Sequence, residues 1–401
     1  MRIPFSPPYI SDEVINQVED SLRSGWITTG PKVKKLEELV CKFTLSPESL
    51  CVNSATSGLM LALKWYNIGQ GDEVIIPAYT YAATALAVMH VGATPVMVDV
   101  KDDFNISTNE IENAITNKTK AIIPVDIAGW PCDYDEIFAL VNKKRNLFEA
   151  ASVNQKSLGR ILILSDSAHS IGAKYKDKFV GVTADITVFS FHAVKNVTTA
   201  EGGALCINLP KPFDNTEEYK YLRLYTLNGQ TKDAFTKSKA GGWRYDIAFA
   251  GLKINLPDVL AAIGVAQLPE YFDSTLKKRK EIFDFYHSFF NKTDWANLPP
   301  YQSKNKTSSC HVYALRIKDI SENTRDEIIE KISAKGVSVN VHFQPLPLLT
   351  LFKDLGYNID KYPVAYNNYK SEISLPVYPQ LTLEQLNFIL STIRNAVEST
   401  I

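Results

Sequence analysis

Cysteine is scarce in this chain, and a C-x-x-C pair is missing altogether. Its five cysteines (Cys41, Cys51, Cys132, Cys206 and Cys310) are scattered and odd in number. That pattern argues against a disulfide framework or a zinc knuckle, so no metal is expected and the thiols should be small buried hydrophobes. An excess of either charge is lacking too: 43 Lys and Arg face 44 Asp and Glu, a net charge of −1, without a long run of one sign. A nucleic-acid or membrane-surface protein needs a basic field, so neither partner is expected. There is no run of 18 apolar residues, and the opening MRIPFSPPYI lacks the apolar core of a signal peptide. The expectation is a cytoplasmic location. Internal repeats, low-complexity tracts and Pro/Gly/Ser linkers are also missing.

What is present describes an ordinary globular protein, 45% apolar and 22% charged. A length of 401 residues is too great for one small core, so a large unit with a smaller companion is expected. Between about residues 50 and 208, Ile- and Val-rich runs alternate with helix-length segments. The runs are DEVIIP (72–77), ATPVMVDV (93–100), KAIIPVDI (120–127), RILILSD (160–166) and DITVFSF (185–191). Runs apolar on both faces predict an α/β fold whose mostly parallel sheet carries helices on both sides. SATSGLMLALKWYN (54–67) reads as one such helix, and Ser107 with Glu110 has capping-box spacing.

From about residue 268 the texture changes. A long helix (YFDSTLKKRKEIFDFYHSFF), a strand (CHVYALRIK, 310–318), a helix from Thr324, a strand (VSVNVHF, 337–343) and a helix capped at Thr382 follow in turn. This predicts a large unit over 1–267, N-terminal arm included, and a small α+β unit over 268–401. Residues 142–160 read as a surface insertion.

Ligands of open α/β sheets sit at the carboxyl ends of the strands, and three such ends carry chemistry. Asp166 closes the apolar run RILILSD, where a carboxylate is costly unless something cationic meets it. SFHAVKNVTTAEGGALCI (190–207) places Ser190 and Lys195 just past a strand. Asn53-Ser54-Ala55-Thr56-Ser57-Gly58 is a small-residue turn before a helix, whose free N–H groups and dipole favour an anion. Alone, each has a bland reading: a helix cap, a solvated lysine, an N-terminal turn. Together they fit one ligand with a phosphate, a protonated ring nitrogen and an aldehyde, which is pyridoxal 5'-phosphate. Tyr81 (PAYTYAAT) and His169 (SDSAHS) could flank its ring, although either could equally be core. Gly202 and Gly203 are expected to let the backbone turn tightly into the next strand. Glu201 reads as a surface turn residue or, less simply, a catalytic one.

The blocks SGWITTGP (24–31), VNSATSGL, GDEVIIPAYTY, GATPVMVDV, SDSAHSIGA, SFHAVKNVTTAEGGA, LKINLPDVLAAIG and SLPVYP occur in this order. Over nearly the whole length this resembles the sugar aminotransferases of the DegT/DnrJ/EryC1/StrS family. The resemblance implies a fold-type-I aminotransferase: a mostly parallel, mixed seven-stranded sheet and a small C-terminal α+β domain. It implies that Lys195 carries the cofactor as a Schiff base and relays protons, that Asp166 contacts the ring nitrogen, and that Ser190 with Ser54, Ala55 and Thr56 holds the phosphate. Tyr81 and His169 would flank the ring. A homodimer with shared active sites is implied as well, Asn255 reaching the partner's phosphate and Lys253 lying near the nucleotide sugar. Arg244, Tyr313, His342 and Phe343 are further candidates for the substrate.

The implied reaction is a two-stage transamination. L-Glutamate, leaving as 2-oxoglutarate, converts the cofactor to pyridoxamine 5'-phosphate, which aminates a nucleotide-linked keto sugar. The similarity is nearest to members acting at carbon 4 of UDP-linked sugars for lipopolysaccharide, capsule or glycan synthesis. Three other readings compete. A deoxygenating dehydratase of this fold would have histidine in place of Lys195. An amino-acid aminotransferase would clamp a carboxylate with a small-domain arginine, where this chain reads SEISLPVYP, with Arg316 inside a strand pattern. A non-catalytic pyridoxal-phosphate-binding regulator would have little use for Lys195, Asp166 and Ser190 together.

Overall fold

The computed structural model describes residues 1–231 and 244–401. Thirteen strands occur among them: β1 Glu48–Val52, β2 Glu73–Pro77, β3 Thr94–Val98, β4 Thr119–Ile122, β5 Leu162–Asp166, β6 Lys174–Tyr175, β7 Lys178–Phe179, β8 Ile186–Ser190, β9 Gly203–Ile207, β10 Ala296–Asn297, β11 Lys306–Thr307, β12 Tyr313–Ile317 and β13 Glu372–Leu375. Seven form one sheet in the order β1-β9-β8-β5-β4-β2-β3. All run parallel except β9, which is antiparallel to both neighbours. β5, β8 and β9 are buried along their whole length, as their uninterrupted apolar runs require. The carboxyl ends of β1, β2, β5 and β8 and the start of β9 therefore meet at one rim.

Ser54 caps the helix Ala55–Trp65, its Oγ accepting from the Ser57 N–H at 3.1 Å. That helix start lies hard against β9. A Cβ added at Gly203 would come within 2.7 Å of the Ala55 nitrogen and 2.8 Å of the Phe189 carbonyl oxygen. Neither Gly202 nor Gly203 has a positive φ; in this loop Ala200 does, at 65°. Both expected turn glycines are thus needed for close approach instead, Gly203 against backbone and Gly202 against Thr199 Oγ1.

The small unit packs β10, β12 and β13 as an antiparallel sheet with the helices Glu322–Ala334 and Leu383–Glu398 around a second core. Thr382 and Gln385 form the expected capping box; Ser107 caps its helix with only its own half. One expectation fails here. Residues 337–343 are no strand: Val337 and Asn340 make only isolated bridges, to Ile3 and Ser374, and the third strand is β13. Of the N-terminal arm, Ile3 is buried in the small unit's core and exchanges backbone hydrogen bonds with Gly336 and Ser338, while Ser6 and Tyr9 bond Val194 and Gln267 of the large unit. Position 267/268 falls inside a helical run, Asp258–Glu270 continuing through a π turn at Tyr271–Thr275 into Leu276–Phe290. Residues 142–160 carry a 3-10 turn and a helix, Val153–Leu158. They are tied in by Gln155 Nε2 donating to the Tyr66 carbonyl at 2.9 Å. All five cysteines are free and four are buried.

Gly203→Ala should lower stability by about 1–3 kcal/mol through overpacking against backbone that has nowhere to move. Gly69→Ala, which meets nothing closer than 3.7 Å, should stay within about 0.5 kcal/mol. Chemical denaturation of both variants checks the contrast; equal losses would deny the tight approach.

Candidate active site

A cavity of about 480 Å³ opens on the rim of the large sheet. Ser54, Ala55, Thr56, Tyr81, Asp166, His169, Ser190, Lys195, His342 and Phe343, all singled out from sequence, line it together. Asp166 ends β5 with 7% of its surface exposed. One of its oxygens accepts from Thr84 Oγ1 at 2.8 Å and the other from the Ala168 N–H at 3.3 Å. Burial pushes its carboxyl above the usual range, while Thr84, the Ala168 N–H and Lys195 pull it back. Lys195 follows the end of β8, its backbone N–H bonded to the His192 carbonyl at 2.9 Å. Desolvation lowers its amine to about 8, opposed by Asp166.

The walls are aromatic. Tyr81 immediately precedes the helix Ala82–His90, without a side-chain capping bond, and is 63% exposed at the cavity. Its ring lies 5.6 Å from that of Phe343, which also stacks on His169 at 5.7 Å. His169 Nδ1 accepts from the Ala128 N–H at 3.3 Å, so its proton belongs on Nε2 if the ring is neutral. Burial and Lys195 hold His169 well below its ordinary value. They also push His342 down to about 4. Neutral imidazoles beside one amine avoid a second buried cation.

The structure does not bring every candidate to this cavity. Tyr313 is fully buried in the small unit's core, its hydroxyl 3.0 Å from His287 Nδ1 and its ring against Phe283 and Tyr286. A tyrosine on the core face of β12 cannot reach substrate, which corrects its assignment. Asn255 and Lys253 are hydrogen-bonded to each other at 2.6 Å, and Asn255 donates to Thr29 Oγ1; neither lines the cavity. Arg244 is exposed and likewise away from it; the neighbouring Gly241, Gly242 and Trp243 lie outside the described residues. Glu201 stands at the cavity's edge, 3.6 Å from His192 Nε2.

Sequence reasoning missed several neighbours. Thr84 holds Asp166 and is itself bonded to Thr80 at 2.9 Å. His311 packs against His169 with ring centres 4.4 Å apart and the planes tilted by 43°, and bonds Asn196 at 2.8 Å. Phe5 of the N-terminal arm stacks on His342 at 5.4 Å, and Ser6 Oγ donates to the Val194 carbonyl. Thr84, four residues past Thr80 at the end of a strand, was the one signal to be had. The others come from distant segments.

The donor set fits pyridoxal phosphate. A buried carboxylate that two hydrogen bonds only partly compensate faces a space large enough for an aromatic ring. A helix start with hydroxyls suits a phosphate, and an amine of lowered pKa suits an aldehyde. Among the described residues no group of three or more His, Cys, Asp or Glu is arranged to hold a metal ion, and no helix is long and apolar enough to cross a membrane.

Comparison with known proteins agrees with this chemistry. A profile of the DegT/DnrJ/EryC1/StrS aminotransferase family matches residues 8–394. The chain is 34% identical to the spore coat polysaccharide biosynthesis protein SpsC of Bacillus subtilis, over 99% of this chain and 97% of that protein. Among solved structures it is similar to Spr1654 of Streptococcus pneumoniae, a candidate sugar aminotransferase, in its PMP-form, with 45% identity, a TM-score of 0.95 and coverage of 100% and 98% of the two chains. PseC of Helicobacter pylori, an aminotransferase of pseudoaminic acid biosynthesis, matches with 29% identity and a TM-score of 0.86 over the whole of both chains.

Uptake of pyridoxal phosphate by the apoprotein needs the neutral form of Lys195. Its rate, followed by visible absorption, should rise with pH through about 8 and then level. Asp166→Asn removes the charge that favours the ammonium and should move that midpoint down. A midpoint near 10 in the unaltered protein would contradict the desolvated amine.

Proposed function

The chain belongs to the DegT/DnrJ/EryC1/StrS family of pyridoxal-phosphate-dependent sugar aminotransferases, and from that premise we propose that it moves an amino group from L-glutamate to a keto group at carbon 4 of a UDP-linked keto sugar. The product would enter surface polysaccharide or glycan synthesis, as the name of the Bacillus subtilis relative suggests. The reading rests on one observation: Lys195, Asp166 and the Ser54 helix start share one cavity at the rim of the sheet. The proposed setting is a cytoplasmic homodimer. In it Asn255, Lys253 and Arg244, which lie outside their own chain's cavity, would serve the partner's site, Asn255 at the phosphate and the two cations near the nucleotide diphosphate.

When bound, the cofactor supplies an electron sink for charge developing on the carbon that bears the amine. The chain's residues do the rest. Ser54, Thr56 and Ser190 would hold the phosphate with hydroxyls and N–H groups. Asp166, held by Thr84, would keep the ring nitrogen protonated. Tyr81 and His169 would flank the ring. The Lys195 Nζ takes a proton from the donor's carbon and returns one to the acceptor's, a task for which an amine near neutrality is suited.

An amino-acid acceptor is disfavoured by a specific contact. Arg316 is turned away from the cavity, bonded to Asn368 and stacked over Phe104, and no arginine lines the cavity among the described residues. The described lining offers a carboxylate no bidentate partner, so the glutamate donor would have to draw one from outside it.

Lys195→Ala should reduce turnover by about 10²–10⁴-fold while phosphate binding persists. A panel of UDP-, GDP- and dTDP-linked keto sugars with glutamate, read by 2-oxoglutarate release and product mass, checks the substrate. Reaction with free amino acids alone would overturn the sugar assignment.

A further inference from the structure

Behind the cavity wall lies a polar chain that the proposed mechanism does not use. His342 lines the cavity, and its Nδ1 lies 2.9 Å from Ser374 Oγ. Ser374 Oγ lies 2.5 Å from Glu372 Oε1. The other oxygen, Oε2, accepts from the His342 backbone N–H at 3.0 Å. Glu372 and Ser374 stand on the same face of β13, two residues apart, and both are fully buried. Two residues of one strand thus grip the ring and the backbone of a single histidine.

We propose that Glu372, acting through Ser374, is a positioning residue that decides which ring nitrogen of His342 carries the proton, and so presents Nε2–H to the cavity as a donor for an oxygen of the sugar acceptor. The inference deepens the sugar-aminotransferase reading and rests on it for the identity of that ligand.

Proton counting supports it. Glu372 has no ion-pair partner within 4.0 Å among the described residues. Arg325 spends its guanidinium on the Tyr369 and Glu372 carbonyls and on Asp326, and Arg316 on Asn368. A fully buried carboxyl without a cation favours its neutral form. Because Oε2 accepts from a peptide N–H, the proton sits on Oε1 and is donated to Ser374 Oγ. Ser374 then has its own hydrogen free for His342 Nδ1, which leaves the ring proton on Nε2.

That nitrogen has no partner among the described residues, and Nδ1 is held from behind. If Glu372 loses its proton, every bond in the chain reverses: Ser374 donates to Oε1, Nδ1–H donates to Ser374, and Nε2 becomes an acceptor. Burial holds the Glu372 carboxyl up at about 8, against the pull of Ser374, the His342 N–H, Arg325 and Arg316. Among the described residues, the other charged or titratable groups that bear on His342 are Lys195, His169 and His311, with Tyr79 beside Glu372. Both histidines are kept neutral there, so Lys195 is the one cation, and it discourages a charged His342.

The test is spectroscopic and needs no substrate. The chain has six histidines, so ¹⁵N-histidine-labelled holoenzyme, with His342 assigned by loss of its signals in His342→Asn, resolves the tautomer directly. Nε2 should carry the proton at pH 6–7 and Nδ1 above about pH 8. In Glu372→Gln, whose amide donates to Ser374 at any pH, Nε2 should keep it through pH 9. Ser374→Ala should abolish the pH dependence and slow the sugar half-reaction by about 3- to 10-fold, the cost of one misdirected hydrogen bond.

A tautomer that is the same from pH 6 to 9 in the unaltered protein, or that responds to pH in Glu372→Gln as before, overturns the proposal. A tautomer change in an enzyme that aminates no sugar would leave Glu372 as the positioning residue and dispose of the sugar reading instead.

Discussion

The site depends on two opposite charges kept out of water on one rim. Desolvation drives Lys195 towards the free amine and Asp166 towards the acid, and each opposes that drift in the other. The amine settles near the pH at which it can both hold and release a proton. The carboxylate, braced by Thr84 and the Ala168 N–H, stays able to meet a protonated ring nitrogen. In bulk water the same two residues would be a strong cation and an ordinary anion, with no reason to act together.

Sheet topology delivers the pair to each other. β5 and β8 are parallel neighbours with Asp166 opposite Val188, so Ser190 ends two residues further along the same rim, with Lys195 in the turn beyond. β9 returns antiparallel and, with no side chain at Gly203, lets the Ser54 helix start close in on the same rim. The remaining wall comes from elsewhere. Phe5 belongs to the arm, His342 and Phe343 to the small unit, and the arm is itself stitched to the small unit through Ile3. The residues from one sheet are thereby enclosed by segments distant from it in the chain.

Histidines give that enclosure its character. His169, His311 and His342 all lie near Lys195, and burial together with the lysine holds each below its ordinary pKa. Neutral rings supply directional donors and acceptors without adding charge. Which nitrogen donates is then set by what stands behind each ring: a peptide N–H for His169, Asn196 for His311, and the Ser374–Glu372 chain for His342.

Strands β2, β3, β4, β5 and β8 of the large sheet, the Ser54 and Thr382 caps and the residues Asp166, Ser190 and Lys195 were legible because each is a local event. An apolar run ends, a polar residue follows, and parallel α/β order places such ends together. Other features had no local sign. VSVNVHF alternates as a strand does, yet its partners are single residues of the arm and of β13. Tyr313 looks like any exposed aromatic until β12 turns it inward. Glu372, in an unremarkable SEIS, gains its meaning only from a histidine thirty residues earlier. The sequence by itself determined the α/β order, the family resemblance and the pairing of Lys195 with Asp166 as candidates. Tertiary structure alone decided which side chains wall the cavity and which proton each presents, because burial and hydrogen-bond partners come from segments far apart in the chain.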